Sequence, residues 1–560
     1  MKPLPTKNSI PARASLGLRV LHVAMAVAAV LLFGLHFYHL RADFPNNSPW
    51  SDWSKYTDEG WYGDAAIRHF QLGHWYVPGD FNPAAALPVW PIVEGLLFRV
   101  TGVSLAAARA LTVTVFGCIL IASYLLIRRW RPRAKGEPTR QNLSPALAVL
   151  LLAASPFCFV FTRLAILEPM LVLLTLLALH AATSAPRARE RSGSVKRFLP
   201  TVLLGLLLPL MILTKTTGLF LMPAIGFLLW SSAGRRVGLF LRTGIPAIVV
   251  GLLAWSIYFF AVVRPHYLVD YRYLFSANAY TGITLGTALS VAWDTFTSGL
   301  WIGRLLYPLA IVALVVALVR VRTLRSQPLI PTLILWSVGY AAFLAYHDNL
   351  QPRYYLVIAV PLTLLVAVVF EPAWHMLRPV FHATHSTPAR PLLAMVTMTA
   401  LALVVVTDAR QTIGYARNPE FTLVDAAQSL AEVVRANPAQ NPLVLSISGS
   451  DLSLMTGLPS ICDDFGTLDL VKRVEQYKPG WYAAWNDLED DKMDALSHFY
   501  TPVRVATFPA MDDPDRNLLI LYRLDPRQPS GPRARRARKP IPRSLQTKLG
   551  QQPSVQQLEH

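Results

Sequence analysis

Apolar runs of bilayer length recur along the chain, near 17–40, 104–128, 144–162, 166–184, 199–214, 217–232, 243–263, 300–320, 328–346, 354–370 and 391–407. A hydrocarbon layer takes roughly 20 apolar helical residues to cross, and no soluble core needs such repetition. The runs predict a polytopic α-helical membrane protein with about eleven transmembrane helices. Composition agrees, with 53% of the 560 residues hydrophobic and 15% charged. The first run follows Lys2, Lys7 and Arg13, lacks a small-residue cleavage site and is succeeded by further spans, so it reads as a retained anchor.

Orientation follows from the short loops, where Lys and Arg are kept on the cytoplasmic side. Segment 128–140 carries Arg128, Arg129, Arg131, Arg133, Lys135 and Arg140 against Glu137, and 186–198 carries Arg187, Arg189, Arg191, Lys196 and Arg197 against Glu190. Segments 233–242 and 320–325 add Arg235, Arg236, Arg242, Arg320, Arg322 and Arg325. Alternate loops are thus basic, which puts the N-terminus inside. The loop 41–83 then faces outward, with Asp43, Asp52, Asp58, Glu59, Asp64 and Asp80 against Arg41, Lys55 and Arg68. An odd number of spans sends everything after 407 outward too.

The chain divides into a transmembrane part, 1–407, with a first outer loop at 41–103, a small α/β region at 408–526, and a basic tail at 527–560. Region 408–526 holds 18 acids and 10 bases, with strand-like runs at 442–448, 503–508 and 517–524 and helical patterns at 421–436 and 488–499. The proline-containing tail has eight bases and reads as disordered. Because the tail inflates the net charge of +19, that charge is no argument for a nucleic-acid partner. Cys118, Cys158 and Cys462 make no disulfide framework, and no HExxH, paired CxxC, Walker loop or GxSxG is present.

What remains is polar chemistry at the outer ends of the spans. Arg163, Lys215, Arg264, Arg304 and Arg353 sit there singly, against the positive-inside trend. Each is explained by snorkelling, and as a set they also suit a phosphate at headgroup depth. In "YTDEGWYGDAAIRHF" (56–70), Asp58 and Glu59 start a helical pattern. They complement a helix dipole, or else Asp58, Tyr62 and His69 form one functional face. Trp50, Trp53, Tyr56, Trp61, Trp75, Tyr76, Phe81 and Trp90 crowd the same loop as an interfacial belt or as platforms for sugar faces.

These residues, with "GHWYVPGDFNPAAALPVWP" (73–91), "GVSLAAARALTV" (102–113), "FTRLAILEPMLVLLTLLAL" (161–179), "LTKTTGLFLMP" (213–223) and "QPRYYLVIAVPL" (351–362), resemble the GT-C membrane glycosyltransferases. The branch is that of the bacterial relatives of protein O-mannosyltransferases and lipid A aminoarabinose transferases, the glycosyltransferase family 39 type. The resemblance covers roughly the first 370 residues and rests on the order of motifs. It implies a transferase that moves a sugar from a polyprenyl-phosphate carrier to an acceptor hydroxyl at the outer face of a bacterial inner membrane. Its acidic pair matches Asp58 and Glu59, its tyrosine Tyr62, its lysine Lys215 and its late "RY" Arg353 and Tyr354. Two departures stand out. Trp61 stands where relatives often have Arg, and Phe81, Asn82 and Pro83 stand where the aminoarabinose branch has an acid, Lys and Pro, so the acid and the lysine are missing, which speaks against that donor sugar.

The chemistry asks for a carboxylate to take the acceptor's proton, for which Asp58 is the candidate, and for cations to stabilise the leaving phosphate: Arg353, Lys215 and Arg163. Glu59 is expected to hold the acceptor or support the loop, and Glu168 to orient substrate or pair with a cation. A single displacement inverts the anomeric centre. Nothing requires a cofactor, although acids beside a phosphate leave room for a divalent metal. The expected partners are the lipid-linked donor, the bilayer and an acceptor that the sequence does not name. A transporter of lipids or lipid-linked sugars is the alternative; it would place its polar groups at the membrane midplane in repeated halves, and no internal repeat is seen.

Overall fold

The computed structural model describes residues 12–80, 82–130, 142–191, 195–277, 284–297, 302–320, 324, 326–346, 351–371, 389–486, 490–511 and 516–527. Most of the basic loop 128–140, Phe81 and the tail beyond Arg527 lie outside them.

Among the described residues each expected apolar run falls largely on helix. The elements in order are α1 (Ala12–Leu35), α2 (Asp58–Leu72), α3 (Val89–Thr101), α4 (Leu105–Arg129), α5 (Ser144–Ala154), α6 (Pro156–Phe161), α7 (Leu167–Arg191), α8 (Leu199–Thr214), α9 (Met222–Ser232) and α10 (Val237–Tyr258). They continue with α11 (Leu268–Ala277), α12 (Leu285–Thr297), α13 (Leu306–Val319), α14 (Leu329–Tyr346), α15 (Leu356–Val369) and α16 (Ala389–Arg417). Among the described residues seven helices are long and apolar enough to cross a membrane, and four further apolar helices are shorter. The count of eleven therefore divides into seven full-length candidates and four short ones.

Local chemistry explains the breaks. Run 144–162 splits because Pro156 cannot continue α5, while the Ser155 side chain accepts from the Cys158 amide and starts α6. The boundary expected between runs 199–214 and 217–232 falls at Lys215, whose extended backbone leads into a 3-10 turn, Thr216–Leu221. Irregular backbone at membrane depth is tolerated where it is buried in protein, and Lys215 is buried. Helices α8 and α10 pack backbone to backbone: a Cβ on Gly205 would strike the Ala247 carbonyl and Val250. Helix α10 runs on through a π-helical stretch, Phe259–Tyr267, into α11.

Helix α16 extends to Arg417, past the boundary expected at 407, and leads to α17 (Thr422–Arg435). The sheet beyond comprises β1 (Val444–Ser446), β2 (Ser460–Cys462), β3 (Trp481–Trp485), β4 (Tyr500–Pro509) and β5 (Leu518–Pro526) in the order β2-β1-β3-β5-β4. Strand β1 is parallel to β2 and β3, with Leu445 beside Ile461 and Tyr482, whereas β5 is antiparallel to β3 and β4. The expected α/β character holds, and the sheet has two strands, β2 and β3, that the periodicity did not mark. Helices α18 (Ser450–Thr456), α19 (Leu470–Tyr477) and α20 (Asp490–Ser497) connect them.

The first outer loop docks on this α/β region. Gly60 lies so close to α18 that a Cβ there would run into the backbone of Ser450 and Asp451. The Ser450 hydroxyl donates to Asp64 Oδ1 at 2.5 Å, Asp64 pairs with Arg68 at 2.5 Å, and Asp80 receives Tyr477 at 2.5 Å and Arg473 at 3.4 Å. These contacts fix α2 from behind and leave its first turn directed at the helical bundle.

Candidate active site

The first turn of α2 follows Thr57, whose side chain makes no capping bond, and it carries Asp58 and Glu59. Successive helical residues point about 100° apart, so the two carboxylates meet different partners. Glu59 turns to Arg109 of α4. Arg109 Nε donates to Oε1 at 2.8 Å and Nη2 to Oε2 at 2.5 Å, while the Ala165 amide adds a bond to Oε1 at 2.8 Å. The same guanidinium reaches the carbonyls of Leu40 and Ala42. Glu59 is thus a buried clamp joining the loop to two spans.

Asp58 turns to Arg353. Arg353 Nη2 lies 2.5 Å from Asp58 Oδ2, and its Nη1 donates to Asp52 Oδ1. The Arg353 amide also donates to Asp52 Oδ2 at 2.9 Å, which fixes the 3-10 turn, Pro352–Tyr355, at the head of α15. Lys215 pairs with Glu168 and sits 4.0 Å from the centre of the Tyr354 ring, which Arg353 also faces at 4.8 Å. Asp52, Asp58 and Glu168 therefore gather around two cations, Lys215 and Arg353, and all five side chains are buried. Burial pushes the Asp58 carboxyl up to about 6. Arg353 and Lys215 oppose the rise, and Asp52 and Glu168 add to it. Half-buried Tyr62, one turn along α2, is held well above its ordinary value by burial and by Asp58. Among the described residues no group of three His, Cys, Asp or Glu side chains is set to hold a metal.

The structure thus brings together Asp58, Tyr62, Glu168, Lys215, Arg353 and Tyr354. It sets others apart. Arg163 donates to the Tyr38 and His39 carbonyls at 2.8 and 2.6 Å and covers the Phe159 ring at 4.5 Å. Trp61 packs edge-on against Phe465 at 4.5 Å, facing the α/β region. His69 shares Asp58's side of α2 but stands eleven residues on, about 16 Å along the axis, exposed beside Trp75. Arg264 and Arg304 are exposed, as snorkelling side chains are.

Sequence reasoning missed Asp52 as Arg353's second partner and Arg109 as Glu59's. For Arg109 a signal existed, a lone arginine near the start of an apolar run. It also missed Glu94 of α3, fully buried beside Glu59 and Gly63, where burial and Glu59 hold its carboxyl well above the usual range.

Residues 97–268 match the family model described as dolichyl-phosphate-mannose-protein mannosyltransferase. The fold is similar to that of ArnT from Cupriavidus metallidurans. The apo structure matches with a TM-score of 0.54 and 16% identity over 91% of this chain and 98% of that one. The structure bound to undecaprenyl phosphate matches with a TM-score of 0.52 and 16% identity over 90% and 98%. The apo oligosaccharyltransferase of Archaeoglobus fulgidus follows with a TM-score of 0.51 and 13% identity over 89% and 76%. No curated protein matches the chain. The likeness of fold and the family match over 97–268 agree with the resemblance read from the motifs.

Proposed function

We propose that the protein transfers a sugar from a polyprenyl-phosphate carrier to an acceptor hydroxyl at the extracytoplasmic face of a bacterial inner membrane, with inversion at the anomeric carbon. The acceptor oxygen bonds to that carbon as the bond to the phosphate oxygen breaks. Asp58 takes the hydroxyl proton, and Arg353 and Lys215 stabilise the charge that collects on the leaving phosphate. The observation that carries this reading is the Asp58–Arg353 pair, a carboxyl lifted towards the range of a working base beside a guanidinium suited to phosphate. A phosphate at Arg353 would compete with Asp58 for the fork, and so free the carboxylate as the donor arrives. The match to an ArnT that binds undecaprenyl phosphate supports the carrier class.

Asn82 supports a donor other than aminoarabinose. Where the resemblance has a lysine, this amide accepts from Arg68 at 3.0 Å and donates to the Val77 carbonyl at 2.7 Å and to Asp270 at 3.1 Å. The four short apolar helices complete the eleven spans in this reading, and the α/β region shares the outer compartment with Asp58. The test is sugar transfer from a polyprenyl-phosphate donor in liposomes holding the whole chain, combined with impermeant labelling of a cysteine placed at Ser51. Transfer with outside labelling is expected; a folded protein that turns over no lipid-linked sugar would sink the assignment.

A further inference from the structure

The end of the bundle away from Asp58 carries a second concentration of charge. Helix α7 starts beside Glu168 in the site and runs 25 residues to Arg191, about 37 Å, which delivers its last turn to the opposite face. There it meets the starts of α8 and α10 around a cleft of about 750 Å³ lined by Arg189, Glu190, Arg197, Phe198, Arg236 and Arg242. Among the described residues four guanidinium groups line it against one carboxylate, and that carboxylate, Glu190, is already paired with Arg236. Phe198 is faced by two of the arginines, Arg189 at 5.3 Å and Arg197 at 4.8 Å, which holds both forks at the cleft. Arg189 Nη1 is buried with no hydrogen-bond partner among the described residues. A buried donor of this kind is costly unless an acceptor meets it.

The rim decides what kind of acceptor fits. Leu199 at the start of α8 and Val237 and Leu241 at the start of α10 are exposed, at 66%, 59% and 44%. They belong to helices apolar enough to cross a membrane, so the cleft opens where those helices enter the hydrocarbon layer. A free anion would use the arginines and leave the apolar rim unused. A lipid uses both, with its phosphate among the guanidinium groups and its acyl chains along Leu199, Val237 and Leu241.

We propose that this cleft is a binding site for the headgroup of an anionic phospholipid of the leaflet opposite the reaction site. The site stands apart from the transfer chemistry, and its argument does not depend on the donor. Basic pockets between spans recognise such headgroups by charge and by bidentate geometry.

The test uses the full chain purified in neutral detergent, with its thermal unfolding midpoint read against added phosphatidylglycerol, phosphatidylcholine or inorganic phosphate at equal phosphate concentration. Phosphatidylglycerol is expected to raise the midpoint while the other two leave it in place. The double variant Arg197→Gln, Arg242→Gln should lose most of that rise. Arg128→Gln, an exposed arginine outside the cleft, should keep it. An equal rise in the cleft variant, or an equal loss in the Arg128 variant, would assign the effect to general surface charge and overturn the site. A matching rise with inorganic phosphate would overturn the lipid as occupant. Native mass spectrometry of the unaltered protein supplies a reading free of any variant: retention of phosphatidylglycerol over phosphatidylcholine is expected, and equal retention counts against the proposal.

Discussion

Two buried charge systems begin one residue apart in the first turn of α2, and they are built differently. At Glu59 the charges close on themselves: one carboxylate meets one guanidinium fork through two bonds, and a backbone amide adds a third. At Asp58 the charges stay open, because a single guanidinium serves two carboxylates and a third is held by Lys215. A closed pair has its bonding satisfied and contributes rigidity. An open cluster with an excess of carboxylates holds one of them short of full ionisation, and a proton acceptor has to be poised in that way. The 100° between neighbouring helical residues is enough to send two similar side chains into these two environments.

The sharpest way to break the comparison is Asp58→Asn, which keeps the shape and removes the basicity. Transfer should fall about 1000-fold, a barrier increase of roughly 4 kcal/mol, with the unfolding midpoint retained. The sign of the stability effect follows from linkage. A carboxyl at about 6 in the folded protein and near 3.8 unfolded binds more protons when folded, so its ionisation lowers stability as pH climbs through that window. An amide has no such cost. For the parent enzyme the rate should rise with pH through about 6, because the carboxylate is the active form. Near-parental transfer by the Asn variant would show that the base lies elsewhere, with Glu168 the next residue to test.

Glu59→Gln probes the closed system and should reverse the pattern. Arg109 would keep its burial and lose its counter-charge, which costs about 3 kcal/mol for a broken buried pair. A lowered unfolding midpoint is expected, with turnover per folded molecule less affected than in Asp58→Asn. If Glu59→Gln instead stays fully stable and cannot transfer sugar, the two residues have been given each other's roles. Arg353→Lys is next in size. A lysine restores the charge without the fork that spans Asp52 and Asp58, so the apparent KM for the donor should rise by a factor worth about 2 kcal/mol. An unchanged KM would remove Arg353 from the carrier phosphate.

The membrane architecture was legible because apolar runs act locally and dominate the energetics of a span. The break at Ser155–Pro156 was less so, since run 144–162 reads as continuous by hydropathy alone, whereas the charge of Lys215 marked the boundary between runs 199–214 and 217–232. In the site, Asp58, Lys215, Arg353 and Glu168 were found as polar residues at outer span ends. Their pairings were not, because Asp52 and Arg353 lie 301 positions apart and only the fold brings them together. Strands β2 and β3 escaped notice for a related reason. They are 3 and 5 residues long and buried, so they show none of the alternation that marks a half-exposed strand.

His69 shows where a correct periodicity misleads, and it gives the smallest expected effect. Residues 58, 62 and 69 do share a side of α2, but sharing a side fixes only the angle around the axis. The rise of 1.5 Å per residue separates His69 from Asp58 by about 16 Å, three turns beyond reach of a common substrate atom. Its ring instead stands by those of Phe70 and Trp75, at 5.1 and 5.9 Å, on an exposed surface. An exposed side chain with ring contacts alone changes stability by about 0.5 kcal/mol or less when removed. His69→Ala should therefore leave both KM and turnover within about twofold of the parent, since that is the rate equivalent of so small a change. A large fall in turnover, with the unfolding midpoint unmoved, would mean that the acceptor extends along α2 from Asp58 to His69, and would turn this side of the helix into an acceptor groove.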